Sequence, residues 1–282
     1  MLCEVNRNHG ESRRITMQDL RITLVQPNPK WLQVNENLIK YDSLLETAAL
    51  ETDLIVLPEM FTTGFTMESS RAAEKMDGRT HTWMREQAQK YNSAICGSII
   101  IEEDSNYYNR FLWVEPGGKT LTYDKKHLFR MADEDKYYSE GKELIDISYK
   151  GWKLRPLVCY DLRFPVWARN SVTEGAFDYD ILLYVANWPQ ARIHAWDTLL
   201  QARAMENSSF SIGVNRVGKD EKDIDYNGHS AVYDSRGVKY CFLEDTEQVY
   251  TVKLEKSLIE KYRDKFPSFL DADDFFLGNK KD

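Results

Sequence analysis

The chain has 282 residues, of which 42% are hydrophobic and 29% are charged, and its net charge is −8 at pH 7. The acidic balance argues against a general nucleic-acid binder, whose surface would be basic, and no apolar run is long enough to cross a bilayer. A chain of this length accommodates one large domain or two ordinary ones.

The first 16 residues are polar and lack the apolar segment of a secretory signal. We predict a disordered extension over residues 1–16 and a folded domain over residues 17–282. The four cysteines are far apart and include no C-x-x-C pair; they are Cys3, Cys96, Cys159 and Cys241. This spacing is typical of neither a disulfide framework nor a zinc site. We therefore expect no metal and a reducing, cytoplasmic location.

The first part of the chain alternates predicted strands with predicted helices. In chain order these are a strand over LRITLVQ, a helix with apolar residues at helical spacing over 34–48, a strand over DLIVLPE, a helix through Trp83 and Ala88, and a strand over SAICGSIII. The helix assignments rest on apolar residues recurring three or four positions apart. Strands that alternate with helices predict α/β architecture with buried strands.

The remainder of the chain adds predicted antiparallel hairpins. Their turns lie at residues 116–118, near 150–151 and at 235–237, where glycine recurs. Between the second and third hairpins we predict a helix after Pro165, a strand over DILLYVANWP, a helix near 192–208 and a strand over FSIGVNRVG. No linker, repeat or low-complexity segment separates these pieces. We therefore predict a single α/β domain with mixed sheets.

Several reactive side chains stand at or just after predicted strand ends. Glu59 follows LIVLP, Lys125 and Lys126 lie in YDKKHLF, Glu134 and Asp135 lie in MADEDKYY, and Cys159 ends the run LVC. A carboxylate, an ammonium and a thiol are the groups that acyl transfer requires, because a base takes the thiol proton, the sulfur attacks and a cation holds the oxyanion. Each also has a structural interpretation when taken singly: Cys159 as a small core residue, the lysines as surface residues and Glu59 as a loop residue.

Together these segments closely resemble the motifs of the nitrilase superfamily, the carbon–nitrogen hydrolases. LPEMFTTGF matches the family's glutamate motif at Glu59, YDKKHLF its lysine motif, and LVCYDLRFP its cysteine motif at Cys159. In the lysine motif the catalytic residue stands two positions before the histidine, which selects Lys125 over Lys126. The resemblance runs from about residue 20 to the end. The segment FPSFLDADDFFL is most similar to the omega-amidase branch, which acts on 2-oxo acid amides.

The resemblance implies a fold and a division of roles. The fold would be α/β, a four-layer α-β-β-α sandwich with two mixed sheets. Glu59 would be the general base, Cys159 the nucleophile that carries a thioester, and Lys125 with the backbone N–H of Tyr160 the oxyanion hole. Because a free thiol has a pKa of about 8.5, we also expect the cation of Lys125 to raise the thiolate fraction.

The family's second glutamate falls on Glu134, which would orient the catalytic lysine, and the adjacent Asp135 is the alternative. The resemblance implies no metal and no organic cofactor. The expected partners are a small-molecule amide and further copies of the chain, as a homodimer or a higher homo-oligomer. We expect neither a nucleic acid nor a membrane as a partner.

The substrate-binding residues are a weaker part of the interpretation. Arg163 follows the cysteine by four residues and could hold a substrate carboxylate as a bidentate pair; the alternative is a structural ion pair with Asp161. Phe65, Asn187 and Trp188 could line the pocket, although core packing explains the two aromatic residues almost as well.

Three functions remain open at this point. The first is an omega-amidase that hydrolyses 2-oxoglutaramate or 2-oxosuccinamate. The second is another linear amidase, an N-carbamoyl hydrolase or a nitrilase of the same superfamily. The third is a non-catalytic interaction protein on an enzyme fold. All the reactive residues of the motifs are present, which favours an enzyme.

Overall fold

A computed structural model describes residues 18–48, 51–273, 275 and 277. The predicted extension over residues 1–16 lies outside the described residues. Within the described residues, no helix is long and apolar enough to span a membrane.

The described residues form sixteen strands and seven α-helices, besides short 3-10 helices. The strands are β1 Leu20–Gln26, β2 Leu54–Val56, β3 Ala94–Glu103, β4 Asn106–Val114, β5 Thr120–Asp124, β6 Ile147–Tyr149, β7 Trp152–Val158, β8 Val172–Thr173, β9 Ala176–Phe177, β10 Ile181–Val185, β11 Phe210–Val214, β12 Val217–Lys219, β13 Asp225–Asn227, β14 Ala231–Tyr233, β15 Lys239–Phe242 and β16 Gln248–Leu254. The helices are α1 Val34–Thr47, α2 Ser69–Ala72, α3 Arg79–Tyr91, α4 Glu134–Tyr137, α5 Pro165–Ala168, α6 Ile193–Glu206 and α7 Lys256–Lys265.

The strands form two six-stranded mixed sheets. The first sheet has the order β16-β1-β2-β3-β4-β5, and the second has the order β15-β14-β11-β10-β7-β6. In the first sheet β1, β2 and β3 are parallel, and in the second β7, β10 and β11 are parallel. The remaining pairs in both sheets are antiparallel hairpins or edge strands, which matches the predicted mixture of strand–helix alternation and hairpins.

The sheets pack face to face with helices outside. Along β2, Leu54 and Val56 belong to a core cluster shared with the second sheet, whereas Ile55 belongs to a cluster with α1 and α3. Successive side chains of a strand point to opposite faces, so this sheet is buried on both sides. On the second sheet, a Cβ at Gly213 in β11 would lie 2.5 Å from side-chain atoms of Leu200 and Trp196 in α6. This close approach of helix and sheet requires glycine and completes the order α-β-β-α.

The sequence interpretation differs from the structure mainly near the C-terminus. It did not predict β16 or α7, and it treated FSIGVNRVG as one strand where the chain forms β11 and then β12. β16 pairs with β1 along its whole length, at the edge of the first sheet. Its outward side chains are polar or exposed, so its composition lacks the apolar run of a central strand. The predicted helix after Pro165 is present but is only four residues long.

Candidate active site

The reactive residues meet where strands of both sheets end. Cys159 directly follows β7, Lys125 directly follows β5, and Glu59 and Asn187 follow β2 and β10 by a few residues. In open α/β sheets the carboxyl ends of parallel strands form the usual crevice for ligands. The arrangement therefore brings together residues that are far apart in sequence at one end of the sandwich.

Cys159 stands on a sharp turn from β7 into a 3-10 helix over Cys159–Arg163, and its φ is 45°. This left-handed conformation is uncommon for a residue with a side chain, and it persists only where the surroundings fix it. The buried carboxylate of Asp161 does so. It accepts hydrogen bonds from the backbone N–H of Val158 at 3.0 Å and of His127 at 2.9 Å, and from the Tyr123 hydroxyl at 2.8 Å.

Glu59 is fully buried, and both of its carboxylate oxygens are held. Oε1 accepts from Lys125 Nζ at 2.9 Å and from Asn109 Nδ2 at 2.7 Å. Oε2 accepts from the backbone N–H of Asn187 at 2.9 Å, and the Asn187 side-chain amide donates to the Glu59 carbonyl oxygen at 2.6 Å. These contacts orient the carboxylate towards Cys159, whose pKa responds to its charge.

Lys125 lies between two buried carboxylates. Besides Glu59, its ammonium contacts Glu134 Oε1 at 3.0 Å and Oε2 at 2.9 Å. Glu134 also accepts the backbone N–H of Phe129 at 2.6 Å. The structure thus places Glu134, and not Asp135, against the lysine, because Asp135 pairs with Arg130 at the surface. Lys126 lies outside the site and pairs with Glu140 at 3.4 Å.

Sequence reasoning missed Asn109 and Ser98. The Asn109 amide donates to Glu59 at 2.7 Å and contacts Glu134 at 3.3 Å, while its Oδ1 accepts from Ser98 Oγ at 2.8 Å. Ser98 Oγ in turn accepts the backbone N–H of Met60 at 2.9 Å. Only Ser98 leaves a signal in the sequence, as a polar residue inside the apolar run AICGSIII, which is costly to bury unless it is hydrogen-bonded. Asn109 leaves none, because β4 also contains Asn106 and Arg110.

Burial and the crowded charges shift the pKa values of the site. Burial, followed by the charge of Glu59, raises the pKa of the Cys159 thiol well above its usual value, although Lys125 opposes the shift. Burial disfavours the charge on Lys125, but Glu134 and Glu59 outweigh it and raise the lysine pKa. Burial raises the pKa of Glu134, against the effect of Lys125. Lys125 acts in the expected direction and lowers the thiol pKa, but burial and the charge of Glu59 outweigh it, so the net shift is upward.

A cavity of about 100 Å³ opens from the Cys159 sulfur. The residues named from the sequence that line it are Phe65, Lys125, Cys159, Tyr160, Arg163, Asn187 and Trp188. Phe65 lies under the lysine, with Nζ 5.4 Å from its ring centroid, and Arg163 lies over the Trp188 ring at 4.9 Å. Asp161 is occupied at the base of the cysteine turn, so the alternative of an Arg163–Asp161 ion pair does not describe this structure.

Asn187 has a second role that the sequence did not predict. Besides lining the cavity, it holds both the backbone and the side chain of Glu59. Its carbonyl oxygen is also 3.8 Å from the Cys159 sulfur. Among the described residues, no group of three histidine, cysteine or acidic side chains is close enough to hold a metal ion.

A family model for carbon-nitrogen hydrolases matches residues 21–264. The chain belongs to the carbon-nitrogen hydrolase family. This hydrolase is 44% identical over 263 residues to omega-amidase YafV of Escherichia coli (strain K12), a match that covers 93% of this chain and 100% of that protein. It is 31% identical over 253 residues to 2-oxoglutaramate amidase of Bacillus subtilis (strain 168), covering 89% and 96% of the two chains.

The fold of this hydrolase has a near match among crystal structures. XC1258 from Xanthomonas campestris, a CN-hydrolase superfamily protein with an arsenic adduct in its active site, superposes with a TM-score of 0.91 at 45% identity, covering 93% of this chain and 100% of that one. Nit3 of Saccharomyces cerevisiae, at 24% identity and a TM-score of 0.79, shares the fold. These similarities confirm the predicted family, the predicted α/β sandwich and the assignment as an enzyme that hydrolyses amides.

Proposed function

We propose that this hydrolase is an omega-amidase that releases ammonia from 2-oxoglutaramate or 2-oxosuccinamate, with Cys159 as its nucleophile. The observation that carries the proposal is the pairing of two chemistries in one small cavity. A thiol with a carboxylate and an ammonium lies at one end, and the guanidinium of Arg163 faces the same space. The names of the Escherichia coli and Bacillus subtilis relatives support the substrate class.

Acylation begins with a protonated thiol, because the pKa of Cys159 is raised. Glu59 takes the thiol proton as the sulfur attacks the amide carbon and forms the C–S bond. The carbonyl oxygen gains negative charge beside Lys125 and the backbone N–H of Tyr160, which stabilise it. Glu59 then gives the proton to the amide nitrogen, the C–N bond breaks and ammonia leaves. A thioester remains on Cys159.

Deacylation uses the same carboxylate. Glu59 takes a proton from water as the water oxygen attacks the thioester, and the proton passes to the departing sulfur when the C–S bond breaks. The two Glu134 oxygens lie at nearly equal distances of 3.0 and 2.9 Å from Lys125 Nζ. A single N–H of the ammonium can therefore donate to both oxygens as a bifurcated hydrogen bond. An ammonium has three N–H groups, so with one on Glu59 and one shared by Glu134, the third serves the oxyanion in both steps.

Arg163 would bind the substrate carboxylate. Its planar guanidinium can donate two parallel hydrogen bonds to a carboxylate, and it lines the cavity over the Trp188 ring. Arg163→Gln should therefore reduce kcat/KM for amides that carry a carboxylate, and leave uncharged amides unchanged. Equal losses for both kinds of amide would show that Arg163 is structural.

We also propose a homodimer. Three apolar side chains are exposed: Val166, Met205 and Val238 are 56%, 51% and 50% exposed. Their segments meet at the end of α6, where Gly237 lies against Met205 and Arg169, just after α5, donates to the Glu206 carbonyl oxygen. Apolar residues grouped in this way mark contact surfaces. Light scattering should show a dimer that Met205→Lys converts to a monomer, and a monomeric wild-type chain would refute the proposal.

The described cysteines are free thiols, which supports the predicted reducing, cytoplasmic location.

The test of the function is ammonia release by the purified enzyme. The panel contains 2-oxoglutaramate, 2-oxosuccinamate, uncharged amides, an N-carbamoyl amino acid and a nitrile. Cys159→Ala should abolish turnover, and Cys241→Ala, which changes another buried free thiol, should retain it. If only another panel member is turned over, Glu59, Lys125 and Cys159 keep their proposed roles, but the substrate class is that of the active compound. A nitrile would form a thioimidate on Cys159 where an amide forms a thioester. Retained activity in Cys159→Ala would refute the nucleophile.

A further inference from the structure

The cavity contains a second guanidinium that the mechanism does not use. Arg192 lines it together with Arg163, and both side chains are half-buried. The Arg192 guanidinium carbon lies 5.4 Å from the Phe129 ring centroid, and its Nη2 contacts the sulfur of Met131 at 3.8 Å. Among the residues that the structure describes, neither guanidinium has a carboxylate oxygen within 4.0 Å. A guanidinium with only aromatic and thioether contacts keeps its strongest hydrogen-bonding capacity for an anion or a carbonyl.

Both arginines are supported by the same buried residue. The Trp188 ring lies under Arg163, and its Nε1 donates to the Arg192 carbonyl oxygen at 2.8 Å. The backbone N–H of Trp188 donates to the buried Asn215 side chain at 2.8 Å. Because Trp188 is itself only 2% exposed, this bond anchors the backbone of Arg192 to the core beside Arg163. An anchored backbone reduces the freedom that the two side chains lose when a ligand binds.

Two acidic residues also line the cavity, but among the described residues neither carboxylate pairs with Arg163 or Arg192. The Asp220 carboxylate accepts from the backbone N–H groups of Lys222 at 2.8 Å and Ile224 at 3.0 Å, and from the Tyr226 hydroxyl at 3.0 Å. Burial, followed by the neighbouring Asp220, raises the pKa of Glu221. The arginine side of the cavity therefore favours negative or electron-rich groups.

We propose that Arg192 binds the 2-oxo oxygen of the substrate and selects 2-oxo acid amides over 2-amino acid amides. This inference rests on the proposed function and assigns the carboxylate to Arg163. A 2-oxo carboxylate presents three oxygens at one end, and a single guanidinium fork holds two of them, so the third requires another donor. A 2-amino acid amide has an ammonium at the same carbon, which the charge of Arg192 repels.

The experiment compares kcat/KM for three amides: 2-oxoglutaramate, glutaramate, which lacks only the 2-oxo oxygen, and L-glutamine. A hydrogen bond from a charged donor contributes enough that Arg192→Gln should lose about 10–100-fold on 2-oxoglutaramate. It should lose much less on glutaramate, which keeps the carboxylate but has no 2-oxo oxygen, and it should raise the relative activity on glutamine. Arg163→Gln should lose activity on both carboxylate-bearing substrates. The matched control is Arg130→Gln, because Arg130 is 79% exposed, pairs with Asp135 and does not line the cavity.

Binding provides a readout that does not depend on turnover. In a Cys159→Ala background, calorimetry should show tighter binding of 2-oxoglutarate than of glutarate, and Arg192→Gln should remove that difference. If Arg192→Gln loses activity equally on all three amides, or keeps the preference for 2-oxoglutarate, the role of Arg192 is refuted but the proposed function is not. A wild-type enzyme that turns over glutaramate or glutamine but not 2-oxoglutaramate would refute the proposed function and this inference together.

Discussion

Asn109→Asp is the sharpest test of how the buried charges are balanced. The substitution changes one NH₂ group to an oxygen and adds a carboxylate, with almost no change in volume. The amide nitrogen that it replaces lies 2.7 Å from Glu59 Oε1 and 3.3 Å from Glu134 Oε1. Two like charges at about 3 Å repel by about 5 kcal/mol at an effective dielectric constant of about 20. Two such repulsions exceed the stability that most domains can lose.

The cluster is therefore expected to bind an extra proton instead of unfolding. Groups that share this proton have a raised pKa in the folded state, so the variant should be most stable at low pH and lose stability as the pH rises. Glu59 cannot act as a base while it holds this proton. We expect kcat/KM to fall by at least about 10²-fold at neutral pH, because a general base typically contributes a rate factor of at least about this size.

The assay combines thermal unfolding between about pH 5 and about pH 8 with kcat/KM over the same range, which lies above the ordinary carboxyl pKa values. Asn106→Asp is the control, because it makes the same chemical change at an exposed position of the same strand, β4. The destabilisation of Asn109→Asp relative to wild type should grow with pH, and that of Asn106→Asp should not. A pH-independent difference would show that the site tolerates a third carboxylate, and the charge argument would then be wrong.

Three further perturbations test separate parts of the site. Lys125→Ala should lose at least about 10²-fold in kcat, the usual effect of removing an oxyanion donor, whereas Lys126→Ala should be near wild type; the reverse order would mean that the wrong lysine was chosen. Gly141→Ala should lower the free energy of unfolding by about 3 kcal/mol in denaturant, because its Cβ would lie 1.9 Å from the carbonyl oxygen of Asp124, next to Lys125. Wild-type stability would contradict this. Glu59→Gln should abolish turnover yet lower the pKa of Cys159, seen as thiolate absorbance at lower pH, since the Glu59 charge raises that pKa; an unchanged or higher thiol pKa would contradict the assignment.

The sequence predicted the strands that form the centre of the fold because their apolar runs are unambiguous. The predicted β1 coincides with Leu20–Gln26, β2, β7 and β10 lie within their predicted segments, and β3 extends two residues beyond its segment. Two of these strands, β2 and β7, lead to Glu59 and Cys159, so motif and architecture could be inferred from the same segments. The family resemblance added the order of the layers, which periodicity alone does not determine.

The site beyond the motifs depends on contacts that no local pattern contains. Asn109 meets Glu59 across 50 positions of the chain, and Asn187 meets it across 128. The choice of Glu134 over Asp135 depends on the short helix α4, in which Glu134 is buried and its neighbour faces solvent. The net rise of the thiol pKa has the same origin: the sequence showed the lysine, which lowers this pKa, but not the burial of the thiol or the nearness of the Glu59 charge.

The distribution of charge gives the cavity a direction. At the cysteine end two carboxylates outnumber one ammonium, since Glu59 and Glu134 share Lys125. Elsewhere the cavity presents the guanidinium groups of Arg163 and Arg192. A substrate with one carboxylate is therefore favoured with that group at the arginines and its neutral amide at the thiol. Hydrolysis creates a second carboxylate beside Glu59, where like charges repel. The same asymmetry that orients the substrate thus weakens binding of the product, so turnover itself promotes release.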